Sequence, residues 1–218
     1  MAIKFDVKST TNLFVAVAVV AVILMLIIPL PTVLLDFLMA CNVLLSVLII
    51  LITLYTPKST DFSTFPTILL VSTVFSLALN VSSTRLILSK GSDFDGKMVT
   101  AFGEFVVGSG GTEGLLIGIV IFIILIAVQV AVITKGATRI AEVQARFTLD
   151  GMPNKLMAVD AEFNSGAITE EIAKQRKQEI QKEVDFYSSM DGASKFISGS
   201  VKVGIFITVI NLVVGIIF

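Results

Sequence analysis

Five long apolar runs govern what this chain can become: residues Asn12–Leu30, Thr32–Tyr55, Pro66–Leu88, Leu115–Thr134 and Val201–Phe218. A helix needs roughly 20 apolar residues to cross the hydrocarbon of a bilayer, and each run meets or approaches that length. Lipid cannot hydrogen-bond an open backbone, so each run is expected to be a helix. The runs are rich in β-branched residues, but they are too long and alternate too little for strands. Only 15% of the 218 residues are charged, against about a quarter in soluble domains, which is too few to cover a water-facing surface. The expected class is therefore all-α: a polytopic membrane protein with about five transmembrane helices and one helical cytoplasmic loop. The expected division is a membrane region over 1–134 carrying four spans, a polar loop over 135–200, and a fifth span over 201–218. The first run lacks a small-residue cleavage site and the next follows at once, so it is expected to stay in the mature chain as a span.

Orientation follows from lysine and arginine, which favour cytoplasmic loops. With the N-terminus inside, the inner segments hold Lys4, Lys8, Lys58 and nine more between Lys135 and Lys195, twelve in all; the outer connection holds Arg85, Lys90 and Lys97. Twelve against three places the N-terminus in the cytoplasm. Pro29-Leu30-Pro31 is too short for anything but a tight hairpin between the first two spans. Gly108 to Gly111 is expected to break the helix before the fourth span, and Met98 to Val107 to lie along the outer membrane face.

The residue inventory removes much chemistry. Cys41 is the one cysteine and histidine is absent, which leaves no intramolecular disulfide, no four-cysteine metal site, no imidazole base and no usual haem ligand. Ser72, Ser76 and Ser82 have no Gly-x-Ser-x-Gly setting. No enzyme activity, cofactor or metal is expected, and a net charge of −1 carries no nucleic-acid signature.

The remaining candidates are charges. Asp36 lies four residues into the second span, where a carboxylate is costly unless it is close to an interface. Two readings stand: a solvated group capping a neighbouring helix end, or a proton- or ion-responsive carboxylate facing the bundle interior. Asn80, Arg85 and Gln129 read as interhelical glue, and Lys202 as an interfacial anchor. Between 135 and 200, ten acids balance nine bases, as a folded, salt-bridged unit requires. Thr169-Glu170-Glu171 starts a helix there, supported by a Glu170–Lys174 pair. That helix is expected to run to about Ser189, with Asp191-Gly192 turning the chain back to the bilayer. Asp160, Glu162, Asn164 and Glu171 fall on EF-hand spacings, but Ser165 occupies the position that needs glycine, so these residues read as a surface turn. Arg139, Glu142, Arg146 and Asp150 form a ladder of alternating charge if this stretch is helical.

The run Arg139-Ile-Ala-Glu142-Val-Gln-Ala-Arg146-Phe-Thr-Leu-Asp150-Gly-Met-Pro153-Asn-Lys155-Leu-Met-Ala-Val-Asp160-Ala-Glu162 resembles the signature of the FHIPEP family, the large export-gate proteins of flagellar and injectisome type III secretion. The likeness extends to Phe65-Pro66-Thr67, Leu77 to Arg85, Val132 to Gly136, and Asp185 to Phe196. It implies a subunit of a nine-membered ring in the inner membrane that uses the proton motive force to pass unfolded substrates. Its implied partners are further copies of itself, other membrane components of the apparatus, the lipid bilayer, and substrates and chaperones docked on a C-terminal domain beyond Phe218. On this resemblance the sequence is part of a longer protein, and the export-coupling candidates are Asp36, Arg85, Lys135, Arg139, Arg146, Asp150, Asp185, Asp191 and Lys195. Five positions depart from the family pattern: Ser200 stands where an aspartate is common, Ser76 where the flagellar branch often has an arginine, and Gln144, Asn154 and Leu156 are milder departures within the signature. The rival readings are a small-molecule or ion carrier, which would show duplicated halves and broken midplane helices, and a passive scaffold, which would tolerate neutralised charges.

Overall fold

The computed structural model describes residue 17, residues 20–108 and residues 111–217. Within these, helix follows helix: α1 over residues 20–27, α2 (Thr32–Tyr55), α3 (Phe65–Lys90), α4 (Lys97–Val107), α5 (Gly111–Val128), a π-helical segment (Gln129–Ala137), α6 (Thr138–Asn164) and α7 (Glu170–Ile217). No strand occurs among the described residues, as expected. Four helical stretches are long and apolar enough to cross a membrane: Thr32–Tyr55, Phe65–Asp93, Leu116–Asn164 and Glu170–Gly215. Of the expected first span, Asn12–Leu30, residue 17 and residues 20–30 are described, with helix at residue 17 and over residues 20–27.

Prolines set several of the starts. The Pro31 carbonyl accepts from Leu34 N–H at 3.1 Å and Leu35 N–H at 3.0 Å, opening α2 directly after the Pro29–Pro31 connection. Pro66 is buried in the first turn of α3, where a missing backbone donor does no harm. Pro153 lies inside α6, where the ring deprives the Leu149 carbonyl of its helical donor.

The contacts divide the chain into two compact units. The first gathers the described part of Met1–Val47 with Val71–Ile123 and Val203–Phe218. Its core is Leu35, Leu79 and Leu86, packed with Met25, Leu38, Met39, Phe75 and Phe94, so that α1, α2 and α3 share one apolar cluster. Polar groups tie these helices at single points, the usual role of amides and hydroxyls between spans. Ser76 Oγ donates to Asn42 Oδ1 at 3.0 Å, and Asn211 Nδ2 on α7 donates to Thr84 Oγ1 on α3 at 2.9 Å.

The second unit gathers Leu48–Leu70 and Ile124–Lys202. Here α6 and the first part of α7 form an antiparallel hairpin held by Lys155–Glu183 (2.9 Å), Asp160–Lys177 (2.5 Å) and Glu162–Arg176 (2.5 Å). As the number rises along α6, its partner's falls along α7. Buried Ala145, Met152 and Val159 recur every seven residues on α6, the period of a helix seam. The expected salt-bridged unit is therefore present, with three ion pairs between the helices and three others within α6 or α7, and the Glu170–Lys174 pair is not among them.

Two local expectations need correction. The helix from Glu170 does not stop near Ser189: Asp191 and Gly192 lie inside α7, which continues to Ile217. Asp191 already has an in-helix partner in Lys195 at 2.7 Å, and helical bonding carries through the glycine at a cost of only about 1 kcal/mol. Asp160, Glu162 and Asn164 are not in a surface turn but in the last turns of α6. The turn itself begins at Ser165. Gly166 takes φ +77°, its N–H donates to Phe163 O at 3.0 Å, and Ala167 N–H reaches back to Glu162 O at 3.0 Å. That pair of bonds is a Schellman cap, which needs a left-handed residue and so favours glycine. It explains why the glycine falls one place late for a calcium loop. No group of acids able to hold a metal ion occurs among the described residues.

Candidate functional site

In the first unit, Asp36 is a helix cap. Helix α4 starts at Lys97, and Gly96 stands at its N-cap with no side chain to accept a backbone N–H. A first turn leaves four such donors unsatisfied, and Lys97 adds positive charge at the positive end of the helix dipole. The Asp36 carboxylate meets both demands from α2: Oδ2 accepts from Lys97 N–H at 2.9 Å and Oδ1 from Met98 N–H at 3.0 Å. Of the two readings of Asp36, this geometry is that of the cap.

One turn before Asp36, buried Thr32 donates its hydroxyl to Asp95 Oδ2 at 3.1 Å, while Lys90 Nζ meets Asp95 Oδ1 at 2.6 Å. Thr32 and Asp36 thus fasten the segment 95–98 with one face of α2. The Lys90 ammonium beside Asp95, helped by the Thr32 hydroxyl, holds that carboxyl below the usual carboxylate range against an opposing desolvation. Asp95 and Thr32 lay outside the sequence-derived candidates. Their one signal was proximity to a span end, which does not name a partner 63 residues away.

Arg85 performs the complementary task at a helix C-terminus. Its guanidinium donates to Ile27 O and Leu26 O, both at 2.8 Å, and Ser82 Oγ donates to Met25 O at 2.9 Å. The last carbonyls of α1 have no helical donors, and a guanidinium fork supplies two at once. Both Asp36 and Arg85 satisfy backbone ends through side chains about 60 positions away in sequence.

In the second unit the expected ladder is present on α6. Arg139 pairs with Glu142 at 3.1 Å, and Arg146 with Asp150 at 3.8 Å. The second pair is loose and open, with side chains 82% and 72% exposed. Lys135 is exposed on the π-helical segment, and Asp185 on α7 accepts from Gln181 Nε2 at 2.9 Å. A π-helical stretch of nine residues is unusual, since such geometry mostly occurs as single-turn bulges. Its wider turn shows in Thr134 Oγ1, which donates to Gln129 O five residues back at 3.2 Å. Also in this unit, an open cleft of ≈ 1150 Å³ is lined by Lys58, Asp61, Lys155, Glu162, Arg176 and Glu183 among others. Lys155, Glu162, Arg176 and Glu183 came together there through the hairpin register, which the sequence did not disclose.

The sequence pattern of the FHIPEP family matches residues 22–218. Among curated proteins, the chain is 60% identical over 208 residues to the flagellar biosynthesis protein FlhA of Treponema pallidum, covering 95% of this chain and 29% of that protein. It is 57% identical to FlhA of Borreliella burgdorferi over 208 residues, 95% of this chain and 30% of that protein. For FlhA of Salmonella typhimurium the figures are 50% over 202 residues, 91% and 29%. The chain thus spans less than a third of the length of these relatives. No solved structure matches it. A pattern matched from the middle of the first apolar run to the last residue, on a frame of bilayer-length helices joined to a charged helical hairpin, means that the chain belongs to the FHIPEP family.

Proposed function

We propose that this chain is a membrane component of a bacterial flagellar type III export gate that couples the proton motive force to translocation of unfolded export substrates. The identity of 60% over 95% of the chain to a flagellar biosynthesis protein carries this reading. In it, the chain sits in the inner membrane with its N-terminus and the 135–200 segment in the cytoplasm, in accord with the twelve-to-three distribution of lysine and arginine. It assembles with further copies in a nine-membered ring and with the other membrane components of the apparatus. Substrates and chaperones dock on a C-terminal domain of the longer protein.

The proposed mechanism is a population shift between two arrangements of the ring, biased when loop charges change partners. An exposed i,i+4 pair such as Arg146–Asp150 is worth about 0.5 kcal/mol or less, so exchanging it for a partner on another subunit costs little. Asp191–Lys195 and Arg139–Glu142 offer the same kind of exchange. Asp36 and Arg85 act as positioning residues in this scheme, holding helix ends in register. The test is secretion of flagellar filament protein by cells carrying Arg146→Glu or Asp150→Lys. Each is expected to lower secretion roughly fivefold or more, the lower end of usual coupling effects, at normal membrane levels of the protein. Undiminished secretion with either change would remove the ladder from the mechanism and leave a passive scaffold.

A further inference from the structure

We infer that α4 is a membrane-surface helix that lies in the plane of the bilayer, with Phe102 and Phe105 seated in phospholipid at the boundary between headgroups and acyl chains. The inference rests on the spanning reading of α2, α3 and α5 and not on export.

The first argument is topological. α3 ends at Lys90 and α5 begins at Gly111. Consecutive spans joined by a segment that does not cross must present these two ends on the same membrane face. The eleven residues of α4 make a helix about 16 Å long, too short to cross a core that needs roughly 20 residues. Both of its ends are thus held at the level of one membrane surface. Asp36 fixes the N-terminal end more closely, since it sits in the second turn of α2 and binds the first two N–H groups of α4 directly.

The second argument is the pattern of side chains. On a wheel of 100° per residue, Met98, Val99, Ala101, Phe102, Phe105 and Val106 occupy one arc, and Lys97, Thr100 and Glu104 the opposite one. Met98 and Val99 are half-buried, whereas Phe102, Phe105 and Val106 are 58%, 86% and 40% exposed. A short helix with a wide apolar arc and a charged opposite face has the build of an interfacial helix. The exposed Phe102, Phe105 and Val106 leave this arc uncovered, and the Lys97 ammonium can reach headgroup phosphates along its apolar stem. Phospholipid is therefore the occupant of this face.

The chain contains no tryptophan, so single substitutions give clean fluorescent reporters. The protein is reconstituted in phosphatidylcholine and phosphatidylglycerol vesicles as Phe105→Trp, Glu104→Trp and, within the α2 span, Leu44→Trp. Quenching is read with lipids brominated near the headgroup or deep in the chain, and with iodide on both sides. The expected result for Phe105→Trp is blue-shifted emission, strong quenching by the shallow bromines, weak quenching by the deep ones and little by iodide. Glu104→Trp is expected to be red-shifted and quenched by iodide, and Leu44→Trp to respond to the deep bromines. Phe105→Trp quenched by iodide as Glu104→Trp is would overturn the inference, because the face would then meet water. Shielding from both bromine and iodide would overturn it in favour of cover by a second copy. If Leu44→Trp also escapes bromine, the spanning reading falls and the inference with it. Adding Asp36→Ala to Phe105→Trp is expected to weaken the shallow quenching; an unchanged profile would remove Asp36 as the depth anchor.

Discussion

Helices α4 and α7 begin under opposite local conditions. At α7 the sequence supplies its own cap: Thr169 Oγ1 accepts from Ile172 N–H at 3.4 Å, and Glu170 and Glu171 set negative charge against the positive end of the dipole. At α4 the local sequence is adverse, with glycine at the cap and lysine at the first helical position. A carboxylate from another helix must supply what is missing. A helix start that satisfies itself holds wherever the helix is placed, whereas one that borrows its cap is stable only while the lender stays in position. The borrowed cap therefore ties the placement of α4 to that of α2, and this gives a charged residue near a span end a mechanical role.

That contrast can be broken experimentally, and the largest effect is expected at the borrowed cap. Asp36→Ala removes two charge-assisted bonds to backbone N–H groups and leaves the dipole of α4 facing Lys97 alone. A loss of about 2 kcal/mol in local stability is expected, read as roughly 30-fold faster amide hydrogen exchange at Met98 to Ala101. Exchange within α7 should stay unchanged. Protection of α4 equal to that of the parent protein would show that Asp36 does not hold it.

A smaller effect is expected at the self-supplied cap. The Thr169 bond is long, and Glu170 and Glu171 remain when it is lost, so Thr169→Ala is expected to cost about 0.5 kcal/mol, the low end for such caps. Exchange at Ile172 should rise about twofold. A change as large as that of Asp36→Ala would erase the distinction between the two starts.

Acid provides the mildest perturbation. The Asp95 carboxyl is held below its ordinary value, chiefly by Lys90. Protons therefore bind the unfolded form more readily, and the contribution is fully present above the ordinary carboxylate pKa. It is lost as pH falls through the lower folded-state value. Exchange of residues 91–96 is expected to be flat from neutral pH to the ordinary carboxylate range and to accelerate only below it, beyond the intrinsic pH dependence. In Asp95→Asn the Asp95-linked part of that acceleration should disappear, and its persistence would assign the effect to another group.

Residues legible in the sequence and residues that were not differ in the distance over which their partners act. Arg139 and Glu142, and Arg146 and Asp150, are three or four positions apart, and any helix brings such neighbours together; the ladder needed only that assumption. The spans, the stop at Gly108 and the start at Thr169 likewise follow from run length, a glycine cluster and a hydroxyl ahead of two acids. Ser189 as a helix end failed because Asp-Gly is a turn signal only where no helix on either side propagates through it.

The amino-acid sequence by itself determined that the chain forms bilayer-length helices and charged helical segments between residues 135 and 200, because apolar length and the 3.6-residue period are local properties that no tertiary contact needs to supply. Only the tertiary structure decided the tasks of Asp36 and Arg85, the tether at Asp95, and the pairing of Asp160, Glu162 and Lys155 across the hairpin. Each of these satisfies a group on another element. Which unsatisfied end or countercharge a side chain meets depends on the packing that brings the two elements together, not on the residues beside it.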